Sequence, residues 1–220
     1  MQVIDTVAAW RKTLDAERAA GHTVGLVPTM GALHAGHASL IERAAAECDA
    51  VAVTIFVNPL QFGPNEDLDA YPRTLTTDLE RAEASGATLV FTPSVAEMYP
   101  RPVLTRVAVG ELGDRWDGES RPGHFDGVAT VVTKLFAQAG ACRAYFGEKD
   151  YQQLTIVRRL VADLDLPVEV IGCATVREVD GLARSSRNAY LDPAERSVAP
   201  TLYRALQAGV EILRRGGSPD

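Results

Sequence analysis

The sequence predicts an α/β protein built on an open, doubly wound parallel sheet, and three observations carry that prediction. Short β-rich runs alternate with segments of helical period along most of the chain. The runs are apolar on both faces, VAVTIFV at 51–57 being the clearest, as strands are when helices cover both sides of a sheet. The composition, 46% hydrophobic and 23% charged over 220 residues, is that of an ordinary globular chain long enough for a sizeable core.

Taken in order, 3–20 reads as a helix and TVGLVPT (23–29) as the first strand, ending at Pro28. A helix follows at 37–47, then the strand 51–57, a helix at 74–85 and the strand ATLVFT (87–92). From Met98 to Asp126 the rhythm breaks into a stretch crowded with Pro, Gly and charge, with one short β run, VLTRVAV (103–109), inside it. A loop that long in a compact fold is usually functional. The rhythm resumes with a helix at 125–140, a strand at 141–147, a helix at 150–164 and a strand at 167–172, so at least five parallel strands are expected. After Thr175 the chain turns polar and loop-like. A last helix opens near Pro193 and runs through Leu202, Leu206, Val210 and Leu213, one apolar stripe that must be buried on the first domain, on a second copy, or within a second domain.

Lys and Arg total 22 against 29 Asp and Glu, a net charge of −7 that repels nucleic acid and anionic membranes and leaves anionic small ligands to a locally basic pocket. Cys48, Cys142 and Cys173 are odd in number and far apart, so neither a disulfide framework nor a zinc ribbon is expected, and a reducing cytosol fits. No targeting signal and no apolar run of about 20 residues is present.

The segment TMGALHAGH (29–37) lies where a strand hands over to a helix, the edge at which open α/β sheets bind ligands. Gly31 and Gly36 allow a tight turn and close backbone approach, and the free N–H groups of a helix start attract anions. His34 and His37, three apart on the first turn, point to one side and suit hydrogen bonding to phosphoryl oxygens. Zinc ligation with His124 as third ligand lacks an H-E-x-x-H or cysteine partner, so no metal ligand is assigned. FGEKDYQQL (146–154) repeats the strand–glycine–helix arrangement, with Lys149 placed to meet phosphate and Asp150 as helix N-cap or metal-contacting carboxylate. In GLARSSRN (181–188), Ser185, Ser186 and Arg187 form a fork of donors for polyphosphate. Asn58 and Gln61 in IFVNPLQF offer neutral amides for a hydroxyl or carboxylate. With no G-x-S-x-G, Walker A or G-x-G-x-x-G string, these clusters describe a nucleotide site without a covalent nucleophile.

Read together and in order, PTMGALHAGH, FVNPLQF, YPRT, RPGHFDGV, YFGEKDYQQL and DGLARSSRN resemble the pantothenate synthetase family of the HxGH nucleotidyltransferases. The resemblance implies a Rossmann-like first domain (1–175), the start of a small C-terminal lid domain (176–220), a cytoplasmic homodimer, and ATP with Mg²⁺. It also implies condensation of pantoate with β-alanine through a pantoyl adenylate, releasing AMP and pyrophosphate. Carried over residue by residue, it assigns His34, His37, Lys149, Ser185 and Arg187 to catalysis, with His37 as proton donor. ATP would meet Thr29, Met30, Gly31, His34, Gly36, His37, Gly147, Glu148, Lys149, Asp150, Val176, Arg184, Ser185, Ser186 and Arg187. Asn58, Gln61, Tyr71 and Gln153 would hold pantoate or β-alanine. Two departures stand out: position 184 is Arg where the family usually has Met, and family members continue beyond residue 220. Two other readings stay open, a different HxGH adenylyltransferase and a nucleotide-binding or dimerisation module with little turnover.

Overall fold

The computed structural model of the chain describes residues 1–218. Six strands, β1 (Gln2–Ile4), β2 (Val24–Thr29), β3 (Ala50–Ile55), β4 (Leu89–Phe91), β5 (Cys142–Gly147) and β6 (Val168–Cys173), form one sheet in the order β1-β4-β3-β2-β5-β6. All its pairings are parallel. The helices are α1 (Val7–Ala19), α2 (Ala35–Glu47), α3 (Leu75–Ala84), α4 (Val95–Met98), α5 (Asp117–Ser120), α6 (His124–Ala139), α7 (Tyr151–Asp163), α8 (Pro193–Val198) and α9 (Thr201–Arg214).

Side-chain alternation along the strands divides the core into two layers. Leu26, Ala52 and Phe91 join Trp10, Leu14, Phe136 and Leu154 on one face, where Trp10 stacks on Phe91 with centroids 5.0 Å apart. Val27, Val51, Val53 and Val90 join Ile41, Ala44 and Ala82 on the other. The central strands are thus buried on both faces, as their apolar runs predict, and the doubly wound class follows.

Strand order reverses between β2 and β5, and there the ladder is short. It pairs only Gly25 with Arg143 and Leu26 with Ala144, whereas β2 runs in register with β3 from Val24↔Ala50 to Thr29↔Ile55 and β5 with β6 from Cys142↔Val168 to Gly147↔Cys173. Thr29 turns its carbonyl to Phe56 N beyond β3, at 3.1 Å. Neighbouring Pro28 therefore faces β5, and with no N–H it has nothing to donate to that ladder. The two strands part over their last three residues, opening a crevice at the carboxyl edge of the sheet.

Three local expectations need correction. Val3 belongs to a strand, because Thr6 is the N-cap of α1, its Oγ1 accepting from Ala9 N at 3.4 Å, so the helix cannot begin earlier; TVGLVPT is thus the second strand. VLTRVAV is not a strand. Its backbone is held by side chains of α6, Val107 N donating to Thr130 Oγ1 and Val109 N to Asp126 Oδ1, with both valines packed on the core. The last helix is two, α8 and α9, separated at Pro200, which has no N–H to continue α8. Of the three places expected for the α9 stripe, the first domain does not take it: Leu202 is 74% and Leu206 63% exposed in the single chain. Residues 219 and 220 of the expected C-terminal segment lie outside the described residues. No helix among the described residues is long and apolar enough to cross a membrane.

Candidate active site

The crevice is lined at the carboxyl ends of three strands and by the loop after β6. Pro28, Thr29 and Met30 come from β2 and its exit, Phe56, Asn58 and Gln61 from beyond β3, and Phe146, Gly147, Lys149, Asp150 and Gln153 from β5 and α7. Val176, Arg184, Ser185, Ser186 and Arg187 close the rim from the segment after β6, and Tyr71 from the loop before α3. Of the residues that the sequence assigns to catalysis or ligands, Gly31 and Glu148 alone are not among the lining residues: Gly31 turns the loop behind the pocket wall, and Glu148 faces a shallow cavity beside α9.

The H-x-G-H segment has a local logic. His34 is the N-cap of α2, its Nδ1 accepting from Gly36 N at 3.1 Å, and His34 N donates to Nδ1 of His37 at 3.3 Å. The His34 ring lies so close over Gly36 that a Cβ there would sit 2.8–2.9 Å from it, which is why a glycine separates the histidines. The ring centroids are 4.1 Å apart. Because both Nδ1 atoms accept backbone N–H groups, each neutral ring carries its proton on Nε2.

Both rings are held neutral. Burial lowers the His34 pKa, and the charges of Lys149, Arg81 and Arg184 lower it further. His37 is pushed down to about 3, first by burial and then by His34, Lys149 and Arg81. In the free protein His37 is therefore a hydrogen-bond donor through Nε2–H rather than an imidazolium acid. A polyanion in the pocket opposes the cationic part of these shifts and raises the proton affinity of both rings.

The cations are loosely committed. Lys149 Nζ sits 3.1 Å from Asp150 Oδ1 in a pair exposed on both sides. Asp150 occupies the N-cap position of α7 but makes no side-chain cap. Arg187 makes a two-point contact with Asp67, Nε at 3.0 Å and Nη2 at 2.9 Å, and its guanidinium lies 5.5 Å from the centroid of Tyr71. Arg184 turns its Nη2 to Glu178 at 2.9 Å, while its buried Nε has no partner among the described residues.

The amides are less free than the sequence implied. Asn58, 1% exposed, donates to Gln61 Oε1 (3.1 Å) and Gly127 O (3.2 Å) and accepts from Leu60 N (3.3 Å) and Tyr99 Oη (2.8 Å). All four of its hydrogen-bonding positions are used, so it acts on the pocket by fixing Gln61. The 98–126 insertion completes that support: His124 Nδ1 donates to Gln61 O at 2.8 Å, and Arg121 bridges His124 and Glu66.

Sequence reasoning missed the apolar wall, Val128, Val131, Val132 and Leu135 of α6 with Phe56. Their i, i+3, i+4, i+7 spacing was visible but reads as an ordinary core face.

The fold and the site define a parallel α/β protein with a cleft at its topological switch point, cationic and imidazole-lined on one side and apolar on the other. The sequence model of the pantoate-beta-alanine ligase family matches residues 2–218, and the chain belongs to that family. It is 53% identical over 217 residues to the pantothenate synthetase of Rhizorhabdus wittichii, covering 99% of this chain and 77% of that one. It is 56% identical over 219 residues to that of Thermus thermophilus, covering 99% and 78%. A crystal structure of pantothenate synthetase from Thermus thermophilus superposes with a TM-score of 0.94 at 55% identity over 99% of this chain and 78% of the other. A pantoate-beta-alanine ligase from Francisella tularensis, crystallised with beta-gamma ATP and beta-alanine, superposes at 0.87 with 38% identity over 94% and 79%.

Proposed function

We propose that this cleft joins pantoate to β-alanine at the expense of ATP, by way of an enzyme-bound pantoyl adenylate. The observation that carries the reading is the convergence of the H-x-G-H rings, Lys149 and the Ser185–Arg187 loop, three separate stretches of the chain, on one crevice shared with Gln61 and Gln153. In the first step a pantoate carboxylate oxygen bonds to the α-phosphorus as the bond to pyrophosphate breaks. In the second the β-alanine nitrogen bonds to the acyl carbon, AMP leaves with the electron pair, and the nitrogen loses a proton.

The first step brings two anions together, so the barrier is chiefly electrostatic. The Nε2–H groups of His34 and His37, the Lys149 ammonium and the Arg187 guanidinium are what this chain brings to the phosphates. The Ser185 and Ser186 hydroxyls, Thr29, Met30, Gly36, Gly147 and Val176 complete that side. Gln61 and Gln153 hold the pantoate hydroxyls and carboxylate, with Tyr71 at the rim. The wall of α6 takes its branched carbon skeleton and keeps water from the adenylate.

For Mg²⁺, no group of three or more His, Cys, Asp or Glu is arranged to hold an ion among the described residues, and Asp150 supplies a carboxylate at the pocket. That donor set fits an ion carried mainly by the triphosphate, where it offsets phosphate charge. We also take residues 176–220 as the start of a lid, since the segment after β6 supplies the rim cations, and we carry forward from the family resemblance a homodimer in the cytoplasm.

The test is to mix pantoate, β-alanine and MgATP with the chain and follow AMP, pyrophosphate and pantothenate. All three are expected. Pyrophosphate alone would restrict the chain to the first step, and AMP transferred to a phosphorylated acceptor with pantoate ignored would favour a different adenylyltransferase. Lys149→Ala should lower the rate about a hundredfold, roughly 3 kcal/mol of barrier; an unchanged rate would remove Lys149 from the phosphate site.

A further inference from the structure

We infer that Asp78 and Arg81 of α3 are positioning residues that set the H-x-G-H loop for nucleotide phosphate; the inference rests on the reading that ATP occupies this loop. Between Thr29 and His34 the backbone turns through two consecutive left-handed residues, Gly31 at φ +86° and Ala32 at φ +48°. Alanine has no intrinsic preference for that region, and a turn of this kind persists only where its surroundings hold it. The holder is Asp78. One carboxylate oxygen accepts from Ala32 N at 2.9 Å and the other from Leu33 N at 2.7 Å, with Thr74 Oγ1 adding a third bond at 3.2 Å. The residue is 2% exposed and sits in the first turn of α3, where a negative charge is favoured.

Arg81, one turn further along α3, takes the opposite polarity of the same residue: its Nη1 donates to Leu33 O. The two side chains thus fix both the N–H and the carbonyl of Leu33, the residue immediately before the N-cap His34. Leu33 itself is 3% exposed and packed in the core layer with Ile41 and Val27. Nothing on α3 touches the pocket directly, yet the positions of Met30 at one end of the loop and His34 at the other follow from where α3 holds the middle. A carboxylate is required because both oxygens face backbone donors. An asparagine would turn an N–H₂ group toward one of them, replacing a bond by two opposed donors. Arg81 also adds positive charge beside the rings, so its loss acts on both the geometry and the protonation of His34 and His37.

The experiment compares wild type, Asp78→Asn and Arg81→Gln in three measurements: ATP affinity by calorimetry, the KM values for ATP and β-alanine, and the ring ¹³C–¹H resonances of the histidines. The constants are measured at a temperature where each variant is fully folded by circular dichroism, so that a change in KM or Kd reports the site and not the folded fraction. The expected result is a rise of about tenfold or more in Kd and KM for ATP in each variant, with the KM for β-alanine changed less than about twofold. The His34 and His37 resonances should move while that of His22, at the far end of the sheet, stays. Should Asp78→Asn not fold, Arg81→Gln carries the test. Unchanged ATP constants with unmoved His34 and His37 resonances overturn the inference. If wild type binds no ATP, the proposed function falls, and the ring resonances still decide whether α3 sets the loop.

Discussion

The buried imidazole of His37 makes acid stability the sharpest test of the site's electrostatics. Its pKa lies at about 3 in the folded chain against an ordinary 6.5, so between those values the unfolded chain takes up a proton that the folded one refuses. The stability His37 provides is complete above pH 6.5 and is lost as pH falls, at about 1.4 kcal/mol per unit. At pH 5 that is about 2 kcal/mol, an upper figure because the ring keeps a partial opening to the solvent in the pocket. His34 and His124 are shifted down as well, chiefly by burial, and act in the same sense. His22, raised by its hydrogen bond to Glu17, acts in the opposite one. The perturbation that isolates His37 is His37→Asn, whose Oδ1 occupies the place of Nδ1 and still accepts from His34 N but cannot titrate. Urea unfolding at about pH 7.5 and pH 5 on both proteins gives the answer as a difference of differences. Wild type should lose about 2 kcal/mol more than the variant over that interval. Equal losses in the two proteins would refute the neutral, buried assignment of the ring and with it the donor role through Nε2–H.

Two other substitutions read the geometry of the cleft. Asp67→Asn removes the carboxylate that holds Arg187 in its two-point contact; because that pair is half exposed it is worth about 1 kcal/mol, so ATP should bind about fivefold tighter by calorimetry, and unaltered or weaker binding would mean that Arg187 needs Asp67 to reach the phosphates. Gly127→Ala places a Cβ 2.2 Å from Leu60 O and 2.6 Å from Gln61 Cα, both backbone, so α6 and the Pro59–Gln61 turn must separate; a loss of about 3 kcal/mol in thermal unfolding is expected, and a variant as stable as wild type would show that this contact gives way freely.

What the sequence disclosed about the site follows from how local its signals are. A glycine before two histidines, a glycine before Glu-Lys-Asp and a serine pair before arginine are each chemistry written within ten residues, and all of them but Gly31 and Glu148 line one crevice. The supports of these groups are written elsewhere. Asp78 lies 45 residues from the Leu33 N–H that it accepts, and Arg121 lies 55 from Glu66. In the sequence both are charges on polar stretches, indistinguishable from solvated ones. Val128, Val131, Val132 and Leu135 show a helical stripe, but period alone does not say that part of it faces a cleft rather than the core. The three residues of β1 are too few to show a period, and VLTRVAV shows a strand's alternation without a strand to pair with. Local pattern reports what a segment could form, and tertiary partners decide whether it does.

The same partners explain how a chain of net charge −7 accepts a polyanion. Each rim cation already has an acid: Lys149 has Asp150, Arg187 has Asp67 and Arg184 has Glu178. An incoming phosphate therefore exchanges partners rather than finding bare charge. Each of these pairs is partly exposed and costs about 1 kcal/mol or less to break, so a single phosphate contact, offset by the pair it replaces, nets little. A triphosphate that exchanges several at once sums the small net gains, each new phosphate contact less the pair it replaces, against a single loss of translational freedom, and does so against rings that turn Nε2–H toward it without charge of their own. The arrangement selects for number of phosphates rather than for charge as such, which is the discrimination that the proposed reaction, consuming ATP and releasing AMP, requires.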